Sequence, residues 1–304
     1  MPFSAAGGNV PLLRRLRFAA EALAVRSVFC IIRALPLDVA SAVGGWLGRT
    51  FGPHLPRTDV ARRNLRAAFP EKSEAEIAAI VRGMWDNLGR VAFEYPHLDR
   101  FRFFNGDGRI EVVGTEHFDA MRDDGGPGLM FSGHFGNWEL MGPAAAARGA
   151  PLSIVYRAPN NPRLRWLFDL RRSGGGVMVP KGAEGAKQAL KLLKDGAHLA
   201  MLVDQKMNDG VPAPFFGRAA MTAPALALFA MRFRCKVLPA RIERLGGVRF
   251  RITVLPPMRF AWTGDRHADV LAAMTQVNAV LEEWIRERPE QWLWLHRRWP
   301  DGDR

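Results

Sequence analysis

The segment 128-GLMFSGHFGNWELMGPAAAA-147 reads as a strand, a glycine-bearing loop and a helix in immediate succession. Gly128 to Ser132 is an apolar run of strand length. Asn137 to Ala147 carries a helical pattern, and Gly133 and Gly136 supply backbone freedom for the turn between them. The same alternation continues outward. Further short apolar runs lie at Leu152 to Tyr156, Gly176 to Val179, His198 to Val203 and Lys236 to Ala240. Helical patterns separate them at Glu184 to Lys194 and Ala223 to Arg232. Alternation of this kind predicts an α/β domain built on a mostly parallel central sheet flanked by helices.

Towards the N-terminus the texture is helical. An apolar stretch from Val10 to Leu35 ends at Pro36, and a second apolar helix is expected to about Leu47. Asp59 to Leu98 predicts two helices parted by Phe69-Pro70, the second opening at Ser73 with Glu74 and Glu76 in its first turn. Towards the C-terminus, Arg241 to Leu245 and Val248 to Leu255 flank Gly246-Gly247, which predicts a hairpin closing the sheet edge. A last helix is expected near Ala268 to Arg288. The expected division is an apolar, membrane-associating helical segment over 1–50 and one α/β unit with a helical front over 51–304.

The 304 residues carry a net charge of +13, a surplus that favours anionic partners. Cys30 and Cys235 lie in no C-x-x-C pair, so neither a disulfide scaffold nor a zinc site is expected. No signal-peptide form is present at the start. Arg26 and Arg33 interrupt the first apolar stretch, leaving no uncharged run of the ~18 residues a confident spanning helix needs. At ~100° per residue Arg15, Arg26 and Arg33 fall within about 20° of one another. Such a helix can lie in the headgroup plane with its cationic face outward, or pack on the domain with a solvated arginine edge, and integral against peripheral attachment stays open.

The candidate chemistry centres on His134 and Glu139. Five apart, they would diverge on one regular helix. They can meet with His134 in the loop and Glu139 in the first turns after it. A carboxylate on one imidazole nitrogen fixes the tautomer and leaves the other nitrogen as general base. No G-x-S-x-G elbow accompanies them, so the base is expected to deprotonate an incoming hydroxyl. Ligands gather at the carboxyl ends of parallel strands. Arg157 follows one predicted strand and Asp204-Gln205 another. No metal and no redox cofactor is expected.

These residues resemble the H-x-x-x-x-D/E element of glycerolipid acyltransferases. The chain as a whole is similar to one branch, the bacterial lipid A biosynthesis late acyltransferases. Asn64-Leu65 with Phe69-Pro70-Glu71 resembles that family's N-L-x-x-x-F-P-E segment, and Trp85 through Glu94 its next helix. Asp204-Gln205, Phe215-Phe216-Gly217 and Thr222 resemble its mid-chain block, and Pro289 through Arg298 its closing segment. The resemblance implies transfer of a fatty acyl group from an acyl carrier protein (or coenzyme A) thioester to a hydroxyl of a Kdo-bearing lipid A precursor. It implies His134 as base, Glu139 as its orienting partner and no covalent acyl-enzyme. Arg172, with Arg171 as the alternative, and Asp204 would hold phosphate or sugar groups or brace the site. Phe215, Phe216 and Met221 are candidates for an acyl pocket. The place implied is the cytoplasmic face of the bacterial inner membrane.

Two rivals remain. One is a relative acting on a lysophospholipid or a glycolipid mannoside; the other is a non-catalytic basic membrane-binding protein. No helix-turn-helix, RRM or zinc module supports a nucleic-acid partner. Gly174-Gly175-Gly176 before Lys181 lacks the ending of a phosphate-binding P-loop. Lys187, Lys191 and Lys194 form a stripe at i, i+4, i+7, by default a solvated face and otherwise a carrier-docking face. Trp292, Trp294 and Trp299 are expected to pack, and His296 with Arg297 and Arg298 suits a membrane interface.

Overall fold

The structure, a computed structural model, describes residues 12–104, 108–172 and 176–299, with the side chains of 169–172 outside that description. Two long helices open it, α1 (Leu12–Ala34) and α2 (Leu37–Phe51), followed by α3 (Thr58–Ala68) and α4 (Glu74–Glu94). Ser73 starts α4 as expected. Its hydroxyl accepts the Glu76 N–H, and the Glu76 carboxylate accepts the Ser73 N–H at 2.9 Å. This reciprocal cap satisfies two donors that the first helical turn leaves without partners.

Seven strands form the main sheet: β1 (Ile110–Val113), β2 (Gly128–Ser132), β3 (Leu152–Tyr156), β4 (Met178–Pro180), β5 (His198–Leu202), β8 (Lys236–Gly246) and β9 (Arg249–Val254). Their order is β1-β9-β8-β2-β5-β3-β4, and every pair is parallel except β8 with β9. The β8–β9 hairpin therefore exists but does not close the edge, because β1 pairs outside it. Alternate strand residues serve two cores. Leu129, Phe131, Leu199, Met201 and Val237 pack with α3, α4, α7 (Ala183–Lys194), α8 (Ala225–Phe233) and α9 (Arg266–Glu287). Met130, Ala200 and Leu238 pack on the other face with α5 (Thr115–Arg122) and α6 (Met141–Ala147).

The sequence reading has no counterpart for a separate hairpin, β6 (Lys206–Phe215) and β7 (Arg218–Thr222). Its two-residue turn is Phe216-Gly217, with φ of 52° and 70°. Such a turn needs positive φ at both positions, and phenylalanine adopts it rarely. Phe216 is held there by burial against Phe69, Trp294 and Trp299 and by its N–H, which donates to Glu282 at 2.6 Å.

The division at residue 50 does not detach α2 from the body. Gly44 and Gly48 of α2 meet Gly89 of α4 so closely that a Cβ on Gly89 would lie 2.1 Å from the Gly44 carbonyl oxygen. Only glycine permits that approach. The arginine face of α1 also differs from expectation. Arg33 pairs with Asp99, and Arg26 lies over Trp166. These two guanidinium groups have partners on the body, and the side chains left exposed along α1 are mostly apolar, with Arg14, Arg15 and Arg17 near its start. Leu13 is 81% exposed, Leu23 68% and Ile31 66%, and Leu12, Leu16 and Val28 are exposed with them. No helix among the described residues is long and apolar enough to cross a membrane.

Candidate active site

The parallel pairing of β2 with β5 sets Ser132 opposite Leu202, and the Val203 N–H extends the ladder to the Ser132 carbonyl at 3.0 Å. His134 and Asp204 each stand two residues past that pair, so register alone brings them together. Asp204 Oδ1 lies 2.8 Å from His134 Nδ1, and Oδ2 accepts the His134 backbone N–H at 2.7 Å. Oδ2 also accepts the Trp292 indole N–H at 2.8 Å. Gly133 keeps the contact open, since a Cβ there would meet Asp204 Oδ2 at 3.3 Å. Burial by itself pushes the Asp204 carboxyl up. The His134 charge, its two N–H donors and the Trp292 donor outweigh burial and hold the carboxyl well below the usual range. An ionised carboxylate only accepts, so the proton sits on Nδ1 and the Nε2 lone pair is free to act as a base.

Glu139 is not the group on Nδ1. It lies in the 3-10 turn Trp138–Leu140, buried, with Oε1 accepting the Trp138 indole N–H at 2.9 Å. The Trp138 ring in turn stands edge-on to the His134 imidazole, with centroids 5.1 Å apart. The strand register delivers Asp204 to the imidazole first, and Glu139 touches it by way of Trp138.

The loop between His134 and Asn137 is tied down from three sides. The Gly136 N–H donates to the Gln291 carbonyl at 3.0 Å, and the Leu293 N–H donates to the His134 carbonyl at 3.0 Å. Asn87 of α4 donates to the Gly136 carbonyl at 2.9 Å. Asn137 donates to Glu94 at 2.7 Å, and this fully buried carboxylate also takes Ser41 and both terminal nitrogens of Arg244. Gly136 has φ 56°, and a Cβ there would lie 1.9 Å from the Ile242 carbonyl oxygen. Both glycines of the loop are thus used, one for space and one for space and conformation.

His134 opens onto a cleft of about 380 Å³. Its lining is mixed: Met141, Ile154, Val155, Tyr156, Phe168 and Leu202 are mainly apolar, and Glu139, Arg157, Lys181, Gln205 and His296 are polar or charged. Gln205 Nε2 stands 3.4 Å from His134 Nε2, and Lys181 Nζ stands 3.4 Å from Gln205 Oε1. Arg157 is exposed at the mouth. Burial pushes the His296 imidazole down, against the pull of Asp204 and with the help of His134, Lys181 and Arg298. Arg172 and Arg171 end the 3-10 segment Pro162–Arg172, and their side chains lie outside the described residues.

Phe215, Phe216 and Thr222 are placed elsewhere. Phe215 stacks on Trp299 and meets Trp292 edge-on, inside the core. Thr222 is buried, its hydroxyl accepting from Arg298 at 2.7 Å and from Asn278 at 3.2 Å. They brace the β6–β7 hairpin and do not line the cleft. In the tail, Trp292, Trp294 and Trp299 pack in the core as expected. Arg298 differs from the interface expectation: it is fully buried, with its pKa pushed down to about 10 by burial. Trp292 is the site residue that sequence reasoning missed. Its place beside Gln291 in the closing segment was visible, but only tertiary contact gives its indole a carboxylate. Burial also raises the Cys235 thiol to about 11, which makes it a poor nucleophile. Among the described residues no three His, Cys, Asp or Glu side chains converge as metal ligands.

The chain resembles known proteins along most of its length. Residues 11–301 match the family described as bacterial lipid A biosynthesis acyltransferase. The chain is 29% identical over 289 residues to the lipid A biosynthesis lauroyltransferase of Escherichia coli, covering 90% of each chain. It is 26% identical over 238 residues to the lipid A biosynthesis myristoyltransferase of the same organism, covering 76% of this chain and 72% of that one. A lipid A biosynthesis acyltransferase of Haemophilus influenzae is 27% identical over 283 residues, with 90% and 86% covered. In shape, the crystal structure of the 1-acyl-sn-glycerophosphate acyltransferase of Thermotoga maritima aligns with a TM-score of 0.39 at 11% identity, covering 84% of this chain and 96% of that one. With the family match running through nearly the whole sequence, this acyltransferase belongs to the bacterial lipid A biosynthesis acyltransferase family.

Proposed function

We propose that the protein transfers a fatty acyl group from an acyl carrier protein thioester to a hydroxyl of a Kdo-bearing lipid A precursor, with His134 as general base and Asp204 as its orienting partner. The observation that carries this reading is the buried Asp204 carboxylate on His134 Nδ1, which leaves Nε2 facing a cleft lined by apolar side chains together with Arg157 and Lys181. The acceptor O–H takes the place of Gln205 at Nε2 and gives up its proton there. Its oxygen attacks the thioester carbonyl carbon, the C–S bond breaks, and the imidazolium returns the proton to the departing thiolate. No acyl-enzyme forms, since no nucleophilic side chain accompanies the imidazole. Met141, Ile154 and Leu202 receive the acyl chain. Lys181 and Arg157 meet the phosphate and sugar-acid groups of the acceptor. Glu139 positions the Trp138 ring against the imidazole. The site works at the cytoplasmic face of the inner membrane, with the exposed leucine face of α1 immersed in the leaflet and the sheet above it.

The test is mass spectrometry of the lipid product. Protein in detergent is incubated with carrier-protein thioesters of several chain lengths and a Kdo-bearing tetraacyl precursor, with His134→Ala in parallel. The expected product is heavier by one acyl group and is absent with the variant. Transfer to lysophospholipid or mannolipid acceptors alone would refute the acceptor assignment, and undiminished transfer by His134→Ala would refute the base.

A further inference from the structure

Under the proposed reading the donor arrives on a water-soluble carrier while the acceptor arrives from the membrane, so one cleft needs two approaches. The fold separates them. α1 lies on the 3-10 segment Pro162–Arg172, joined by Phe29 against Trp166 at 4.9 Å and by Asn161 donating to the Phe18 carbonyl at 2.9 Å. That segment packs on α6 and sends Phe168 into the cleft. The exposed apolar face of α1 therefore belongs to the α6 side of the sheet. α7 packs on the opposite side, through Ala189 and Leu193 in the core shared with α8 and α9.

From the carboxyl end of β4, Lys181 enters the cleft mouth, and α7 begins two residues later. Its solvent face carries Lys187, Lys191 and Lys194, all exposed. At ~100° per residue they fall within about 60°, a single row. Counter-charge is sparse. Glu184 is 3.9 Å from Lys187, with both side chains about three-quarters exposed, a geometry of little worth. With a rise of ~1.5 Å per residue, the row runs about 17 Å from the start of α7 beside the cleft mouth to Lys194. Three exposed lysines against Glu184 and Asp195 leave the row net positive, complementary to a small protein with an acidic helix face, and it is not the face that α1 turns to lipid.

We infer that the Lys187–Lys191–Lys194 face of α7 is the docking surface for the acidic carrier protein that brings the acyl thioester, with the start of α7 beside the point where its prosthetic arm enters the cleft. This rests on the carrier-thioester donor proposed above. Docking through rim charges acts on association, so the surface governs the KM for the carrier and its salt dependence, and the chemical step is untouched.

The experiment compares the full-length triple variant K187E/K191E/K194E with wild type, using two donors carrying the same acyl chain: the carrier-protein thioester and the small acyl-pantetheine thioester. With the carrier donor, kcat/KM is expected to fall about tenfold or more through KM. Its decline with added salt is expected to flatten, while pantetheine kinetics stay within about twofold and report an intact fold. Unchanged carrier kinetics would overturn the inference while leaving the donor reading in place. An equal fall with both donors would overturn it as well, since the lysines would then act on the site itself. Lost binding to anionic vesicles with carrier kinetics intact would assign the row to the membrane instead. A wild-type enzyme that uses coenzyme A thioesters and no carrier thioester would overturn the donor reading, and this inference with it.

Discussion

Asp204→Asn separates the orienting role of this carboxylate from its place in the core. Asp204 is 2% exposed and accepts three N–H groups, two at Oδ2 and one at Oδ1. Asparagine offers one oxygen and one NH2 in the same space. With its oxygen towards His134 Nδ1, the NH2 faces both the His134 backbone N–H and the Trp292 indole N–H. That leaves buried donors without acceptors, at about 1–3 kcal/mol each. The amide therefore turns its oxygen to those two donors and its NH2 to Nδ1. Nδ1 must then accept, the imidazole proton moves to Nε2, and the lone pair facing the cleft is lost. A folded enzyme in the wrong tautomer is the expected result, with kcat down by about 10⁴-fold, the scale seen where the same exchange inverts a catalytic imidazole. The assay is turnover of the thioester donor alongside a thermal melt, with ¹⁵N imidazole shifts reporting the tautomer. Activity within tenfold of wild type in a folded variant would refute the assignment of Asp204.

The same carboxylate gives a pH prediction. Its folded pKa is depressed, so its contribution to stability is in place above the unfolded value of about 3.9 and is lost as pH falls through the folded one. Between pH 5 and 2, denaturant melts should therefore show wild type losing more stability than Asp204→Asn. Gly89→Ala places a Cβ 2.1 Å from the Gly44 carbonyl oxygen, forcing α2 off α4. At about 1–3 kcal/mol of overpacking the melting temperature should drop by several degrees, and an unchanged melt would contradict the crossing. Substituting Leu16, Leu23 and Ile31 together with serine removes three exposed apolar side chains. At about 1.5 kcal/mol or more for each, vesicle partitioning should fall about a thousandfold or more with turnover in detergent retained. Equal partitioning would place the membrane contact elsewhere.

What the sequence revealed depended on whether the information was local. The Ser73 cap, the break at Phe69-Pro70 and the β2 strand each follow from residues within one turn or one strand of each other. The two strand-end groups, His134 and Asp204, were also readable, because parallel strands put their carboxyl ends on one rim whatever their order. Their pairing was not. Sequence proximity favoured Glu139, five residues from His134, whereas the order in which β2 and β5 become neighbours has no local signature. The β6–β7 hairpin was hidden for a similar reason. Its turn uses Phe216 at φ 52°, and the packing that makes a phenylalanine acceptable there comes from Phe69, Trp294 and Trp299, well over a hundred residues away on one side and about eighty on the other.

The reversed polarity of α1 has a further consequence. A helical wheel counts arginines as solvent-seeking, and on an isolated helix the row at Arg15, Arg26 and Arg33 would face away from lipid. In the folded chain Arg26 lies over Trp166 and Arg33 pairs with Asp99, so the side bearing those two arginines is fastened to the segments that shape the cleft. Leu13, Leu23 and Ile31, with Leu12, Leu16 and Val28, are left facing outward, Arg14, Arg15 and Arg17 standing among them near the start of the helix. Burying that face in a leaflet would set the rim of the cleft, through Trp166 and Phe168 on one 3-10 segment, at a fixed height above the lipid. In that arrangement the residues that look like the membrane signal would set the distance between membrane and base, and the residues that look like core would make the contact.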